Sequence, residues 1–235
     1  MNTLIVSILL LTWPIAVERM TTATRGGADA EQLRAIRAEL PTTEAPSAAL
    51  LHYARAYVAR NLAFARGVSA EERKALLEEA VAQLEEAVRL DPRNAEAHAL
   101  LGSTYGSLIG SAPERGAELG AKARASLEQA MQLEPHNPRV HLLHGTSAFH
   151  RPPEFGGGAE RAEPHLRKAL SLFANEPPMK PWPNWGRYET HLYLGMSLEK
   201  MQRLDLARAQ YEEALAIAPD SEYVRNVLLP RTRKR

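Results

Sequence analysis

The chain has no cysteine. That excludes disulfides, a thiolate metal site, a cysteine nucleophile and a lipidated N-terminal cysteine. It also lacks an excess of either charge. Its 29 basic and 28 acidic residues leave a net charge of +1, so bulk electrostatics gives no case for nucleic acid. No apolar run reaches the roughly 20 residues of a comfortable membrane span. The longest one at the N-terminus, Leu4 to Val17, suits the apolar region of a secretory signal. It is preceded by Met1-Asn2-Thr3, without Lys or Arg, and followed by Thr21-Thr22-Ala23 as a tolerable cleavage site; Ala28-Asp29-Ala30 is rather far. The expectation is a signal peptide or membrane anchor over residues 1–23, with a misassigned start in a cytosolic protein as the alternative. Catalytic signatures are lacking too. No Ser-His-Asp order, carboxylate pair or nucleotide motif stands out. Arg151 to Gly158, RPPEFGGG, is glycine-rich, but no strand precedes it and no Lys-Ser/Thr pair follows, so it is read as a shaped loop with Phe155 tucked against the body.

What the chain does have is a repeat. Tyr188 to Pro219 carries Leu194-Gly195, Ala207, Tyr211, Ala214 and Pro219. The same marks recur at Leu101-Gly102, Ala123, Leu127, Ala130 and Pro135. They recur again at Gly145, Ala162, Leu166 and Ala169, and in worn form at Ala54, Tyr57, Ala80, Leu84, Ala87 and Pro92. Small residues at the first and second marks let two helix backbones approach closely. Leu90-Asp91-Pro92-Arg93-Asn94 and Leu133-Glu134-Pro135-His136-Asn137 are shared endings. In each, Pro closes a helix and Asn caps the next; Pro138 then takes the first helical position. The spacing between small residues is 12 in the fourth copy, 17 in the third, 21 in the second and 26 in the first. Insertions therefore enlarge the intra-repeat turns along one edge.

This pattern resembles the tetratricopeptide repeat family. The resemblance implies an all-α, right-handed superhelical solenoid of helix pairs, A then B, with its binding groove lined by the A helices. The expected layout is an N-terminal tail and short capping helix over 24–46, with Asp29 capping a helix from Ala30 to Leu40. A repeat domain follows over 47–229, with units 47–92, 95–135, 138–174 and 188–219 and a final capping helix over 221–229. A basic tail occupies 230–235. Alignment with the family places Arg55, Glu96, Ser103, Arg139, Thr146, His150, Glu189, Met196 and Lys200 near the groove. Ser103, Thr146 and Met196 stand where the peptide-clamping subtype has Asn, which argues against binding of a chaperone's C-terminal tail. The connector Asn175 to Gly186 is proline-rich, and its Trp182 and Trp185 either cover exposed core or meet a partner.

Histidines are the other chemistry-bearing residues. His98, His141 and His191 share one repeat position, which points to packing; His141 and His144 lie a turn apart. No spacing suggests the four ligands of a structural zinc site, and no cofactor is implied. The leading function is a non-catalytic scaffold or adaptor in a bacterial envelope, binding a peptide or protein. A ligand-binding accessory subunit of an envelope transport system is the second reading, and an enzyme or metal site on the His-bearing helices the third.

Overall fold

The computed structural model describes residues 12–40, 45–176 and 184–233. Helix α1 spans Trp13–Thr24 and α2 spans Ala30–Glu39; Asp29 caps α2 by accepting from the Gln32 N–H. Four helix pairs follow: α3 (Ala48–Ala63) with α4 (Ala70–Leu90), α5 (Ala95–Ile109) with α6 (Gly116–Leu133), α7 (Pro138–His150) with α8 (Ala159–Phe173), and α9 (Arg187–Lys200) with α10 (Leu204–Ile217). A π-helical turn, Val224–Leu228, and a short α11, Leu229–Arg231, end the described chain. The expected caps Asn94 and Asn137 begin α5 and α7, with Pro138 first in α7, and Ser69 caps α4. Each repeat thus restarts where a side-chain acceptor satisfies the first free N–H groups.

Within each pair the backbones meet at the small residues. A Cβ on Gly102 would fall 2.8 Å from the Ala123 carbonyl oxygen, one on Gly145 2.7 Å from Leu166 Cγ, and one on Gly195 2.6 Å from Tyr211 Cδ1. The first pair corrects the sequence register by two residues. His52 bonds Gln83 Oε1 at 2.8 Å, just as His191 bonds Gln210 Oε1 at 2.9 Å. His98 and His141 bond the carbonyls of Pro92 and Pro135 at 3.0 and 2.9 Å. A His therefore stands four residues before the small residue in every repeat: His52–Ala56, His98–Gly102, His141–Gly145 and His191–Gly195. By this register the contact residue of α3 is Ala56 rather than Ala54, although both are fully buried.

The insertions divide between turn and helix. In the third pair the extra residues form the loop 151–158. In the first and second, much of the excess extends helix B, so α4 begins ten residues before Ala80. Ser111 does not cap α6; a 3-10 turn, Pro113–Arg115, leads into it.

The two ends of the solenoid meet. Gly26, at φ +77°, lies against Ala218, Asp220 and Ser221 of the last repeat, where a Cβ would come within 3.1 Å of Ala218 Cβ. Tyr188 Oη pairs with Ser221 Oγ at 2.8 Å, and Arg66 reaches Glu222 at 3.8 Å. Helix α1 joins this closure. Thr24 Oγ1 pairs with Tyr57 Oη, and Thr21 Oγ1 donates to Asn184 Oδ1, both at 2.9 Å. Its stripe of Trp13, Ala16, Val17, Met20 and Ala23 is buried in the common core.

Candidate functional site

The A helices α3, α5, α7 and α9 present one row of residues each to the concave side, and the rows converge. The face has two ends of different character.

At the N-terminal end of these helices the face is closed. Arg139, completely buried, bonds Glu176 Oε1 at 2.6 Å and lies 3.6 Å from Glu96 Oε1. Asn137 Nδ2 donates to the same Glu96 oxygen at 2.9 Å. The Arg139 guanidinium also sits 5.3 Å from the Phe173 ring centroid and 6.0 Å from that of Trp185. Burial works against its charge, but Glu96 and Glu176 outweigh that and hold its pKa above the ordinary value. Trp185 Nε1 donates to Tyr53 Oη at 3.1 Å, and its ring packs 5.2 Å from Tyr57. Tyr53 and Tyr57 are buried, which raises the pKa of both phenols. Glu189, on α9, borders this end. Burial pushes its carboxyl pKa up, while N–H donors of Glu189 and Gly186 and the charges of Arg139 and Arg60 oppose that.

At the C-terminal end of the A helices the face is open. Ser103 and Thr146 are buried and form its floor; Arg60 and Tyr193 are half-buried; His150 and Lys200 are exposed at its rim. Arg60 Nη2 donates to Ser103 Oγ at 3.2 Å. His150 Nε2 and Tyr193 Oη pair at 3.2 Å, and Lys200 Nζ stands 4.0 Å from the Phe149 ring centroid. Met196 packs, partly buried, beside them. Burial lowers the His150 pKa, and the nearby charges of Arg60 and Lys200 lower it further.

Of the expected groove residues, Ser103, His150 and Lys200 are linked through Arg60, Tyr193 and Phe149, and Glu96 meets Arg139; Thr146 and Met196 share the repeat position of Ser103, and Glu189 that of Glu96 and Arg139. Arg55 falls elsewhere. On a helix it lies about 200° round from Tyr53, on the opposite side from Tyr53 and Tyr57. The reason is the register: with Ala56 as the contact residue, Arg55 shares the position of Leu101, His144 and Leu194. Trp185 covers core; Trp182 lies outside the described residues. Phe155 is not tucked away but 70% exposed, because the turn Pro153–Phe155 and Gly156 at φ +77° carry it outward. Sequence reasoning missed Tyr53, Tyr57, Arg60 and Tyr193. The fourth histidine, His52, is the signal that would have placed the first three in the groove.

His141, His144 and His165 cluster where α7 meets α8. The ring of His165 stacks on His144 at 5.2 Å and lies 5.8 Å from His141. The Nε2–H groups of His141 and His144 are held by the carbonyls of Pro135 and Leu127. Among the described residues no group of three or more His, Asp or Glu is arranged to hold a metal ion. A separate cleft of about 330 Å³ lies between α4, α5 and α6. Its polar groups already serve one another: Tyr105 donates to Glu85 at 2.6 Å, with Lys122 5.6 Å from the Tyr105 ring.

Two family signatures match the chain, one described as TPR repeat over residues 77–108 and one as tetratricopeptide repeat over 188–221. No curated protein matches it. Among solved structures it is similar to the HusA haemophore from Porphyromonas gingivalis. The TM-score is 0.64 at 23% identity, over 81% of this chain and 92% of that one. It is also similar to TTC0263, a thermophilic TPR protein of Thermus thermophilus. There the TM-score is 0.57 at 22% identity, over 86% of this chain and 88% of that one. At these identities the likeness is one of fold.

Proposed function

We propose, on the premise that this chain is a tetratricopeptide-repeat protein, that it is a non-catalytic adaptor which binds a peptide or protein partner at the open end of its concave face. Repeats of this kind support a protein-interaction scaffold. The observation that carries the choice of surface is the graded burial from Ser103 and Thr146 through Arg60 and Tyr193 to His150 and Lys200. Such a floor-to-rim gradient gives a partner both pockets and reachable charge. The bacterial envelope is the proposed location, supported by the apolar run Leu4–Val17 and the lack of cysteine. Among the described residues no helix is long and apolar enough to cross a membrane.

The test is a pull-down from envelope extract with the full chain as bait, beside the His150→Gln/Lys200→Gln chain. A discrete protein held by the first and lost by the second supports the reading. Equal recovery by both, or recovery by neither, overturns it.

One observation favours a second reading, a ligand-binding accessory subunit of an envelope transport system. Trp185 fills one end of the face by packing on Tyr53 and Tyr57, which suits a short ligand better than an extended one. One structural neighbour is described as a haemophore. A small molecule retained by the purified chain in native mass spectrometry supports this reading over the first.

A further inference from the structure

We propose that the open end of the concave face is an oxyanion subsite, in which Arg60, His150 and Lys200 receive a carboxylate or phosphate group with help from the Tyr193 and Ser103 hydroxyls.

Three A helices end in a base: Arg60 in the last turn of α3, His150 in that of α7 and Lys200 in that of α9. A base in that place is ordinarily explained by the negative end of the helix dipole. The side-chain directions here say otherwise. Arg60 Nη2 reaches Ser103 on α5 while its guanidinium lies 5.7 Å from the ring centroid of Phe64 at the end of α3, and Lys200 turns from α9 to the ring of Phe149 on α7. The last carbonyls of α3 are instead met by backbone, Phe64 N–H donating to Asn61 and Ala65 N–H to Leu62. The two cations, Arg60 and Lys200, thus reach across to neighbouring helices on the side that His150 also occupies.

No carboxylate among the described residues lies within ion-pair distance of either Arg60 or Lys200. Arg139, the buried guanidinium at the closed end, is by contrast answered by Glu96 and Glu176. Arg60 Nε is buried without a hydrogen-bond partner. A half-buried guanidinium with an unused N–H is costly unless an acceptor arrives, and a forked guanidinium fits the two oxygens of a carboxylate or phosphate. Glu189 is the nearest acid to influence Arg60 electrostatically, and it spends its oxygens on backbone N–H groups at the other end. His150 and Lys200 are the exposed members, so the anion enters past the Lys200 ammonium and the His150 imidazole, which burial, Arg60 and Lys200 disfavour as a cation, and ends against half-buried Arg60. The walls, Phe149, Tyr193 and Met196, would hold an apolar or aromatic neighbour of the anion.

This inference rests on the concave face being the binding face, but not on the ligand being a protein. The shared chemistry is an oxyanion, and the two sources are separated by two probes used on the full chain: inorganic phosphate and glutarate. Each is titrated at fixed ionic strength, with the ring resonances of His150 and Tyr193 followed by NMR. A saturable shift of both residues is expected, with affinity reduced about tenfold or more by Lys200→Gln and again by His150→Gln. Those two side chains are exposed, so both variants should fold, and circular dichroism checks that they do. Phosphate preferred over glutarate identifies a phosphoryl ligand. Glutarate preferred identifies acidic side chains of a partner. Shifts that do not saturate, or that survive both substitutions, overturn the proposal. Such a failure leaves the pull-down result standing, because a partner can engage the same face without an anion.

Discussion

The indole Nε1 of Trp185 donates a 3.1 Å hydrogen bond to the phenol oxygen of Tyr53, 132 residues earlier in the chain. That bond ties the start of the last repeat to the first A helix, and the same ring packs on Tyr57. Trp185→Phe keeps most of the packing and loses the donor, so a cost of about 1–2 kcal/mol is expected. Trp185→Ala loses both, with about 3–5 kcal/mol expected. Urea denaturation separates the two. Equal, small losses would show that the ends of the solenoid close without this residue.

Arg139 is a structural residue. It bridges Glu96 and Glu176, and its removal takes that cation from both carboxylates. Arg139→Ala is expected to be destabilising by more than about 1 kcal/mol, because a completely buried side chain and its ion pairs are lost together. The triple variant Glu96→Gln/Arg139→Met/Glu176→Gln should recover part of that loss, because it removes the two carboxylates together with the guanidinium that faces them. Thermal melts of the three chains check this. Substitution at Arg139 therefore reports on folding rather than on partner binding.

The histidine cluster predicts an acid limb in the stability curve. Burial, with the neighbouring His144 and His141, pushes the His165 pKa down from 6.5 to about 4. Burial lowers His141 and His144 as well. The backbone carbonyls of Pro135 and Leu127 oppose this, as does Glu128, while Lys168, His136 and Arg151 add to it. Because the unfolded imidazoles take up protons first, stability falls as pH drops from about 6.5 toward 4 and levels off below. Glu189, whose pKa is raised, acts in the opposite sense as pH falls toward 4.5. The His165→Phe chain should therefore lose less stability than the parent between pH 6.5 and 4, measured by melting temperature at each pH.

The repeat periodicity makes the helix pairs, their caps and the close approaches legible in the amino-acid sequence, because each depends on residues within about 35 positions. Asn94, Asn137 and Pro138 act as local chemistry dictates. What is not legible is long-range. Nothing near Trp185 says that it will meet Tyr53, and nothing near Gly26 says that it will meet Ser221. The register of the first repeat is obscured for a different reason. In an alanine-rich helix, Ala54 and Ala56 are equally good small residues, and only the recurring histidine four positions ahead tells them apart. That one shift moves Arg55 off the face and puts Tyr53, Tyr57 and Arg60 on it. Phe155 is ambiguous because an aromatic beside three glycines can turn either way.

Gly195 and Gly120 should respond oppositely to alanine. A methyl at Gly195 would press on Tyr211, and that ring cannot retreat freely because its hydroxyl donates to Glu199 at 2.6 Å. Gly195→Ala is expected to cost about 1–3 kcal/mol. A methyl at Gly120 meets nothing within 4 Å in the interior of α6. Gly120→Ala is expected to gain about 0.5–1 kcal/mol from reduced chain entropy. Chemical denaturation of both variants tests whether the helix–helix contact, rather than helix propensity, governs the repeat glycine.

Residues 13–24 bear on what happens to the N-terminus. A signal cleaved at Ala23 would remove Trp13, Ala16, Val17, Met20 and Ala23 from the core, and leave Tyr57 without Thr24 in its present setting. Ordering α1 costs chain entropy of about 1–2 kcal/mol per residue, which offsets most of what its burial contributes. The net loss expected on starting the chain at Asp29 is therefore moderate, about 2–5 kcal/mol, with new solvent access to Tyr57. Melting temperature and the exposure of Tyr57 to tetranitromethane, compared between the two chains, measure both effects. A shortened chain as stable as the full one, with Tyr57 still protected, would mean that α1 is dispensable and would favour removal of the segment. A destabilised chain with a reactive Tyr57 argues that α1 stays with the folded protein, with Trp13, Ala16 and Val17 in its core rather than removed with a signal or placed in a membrane.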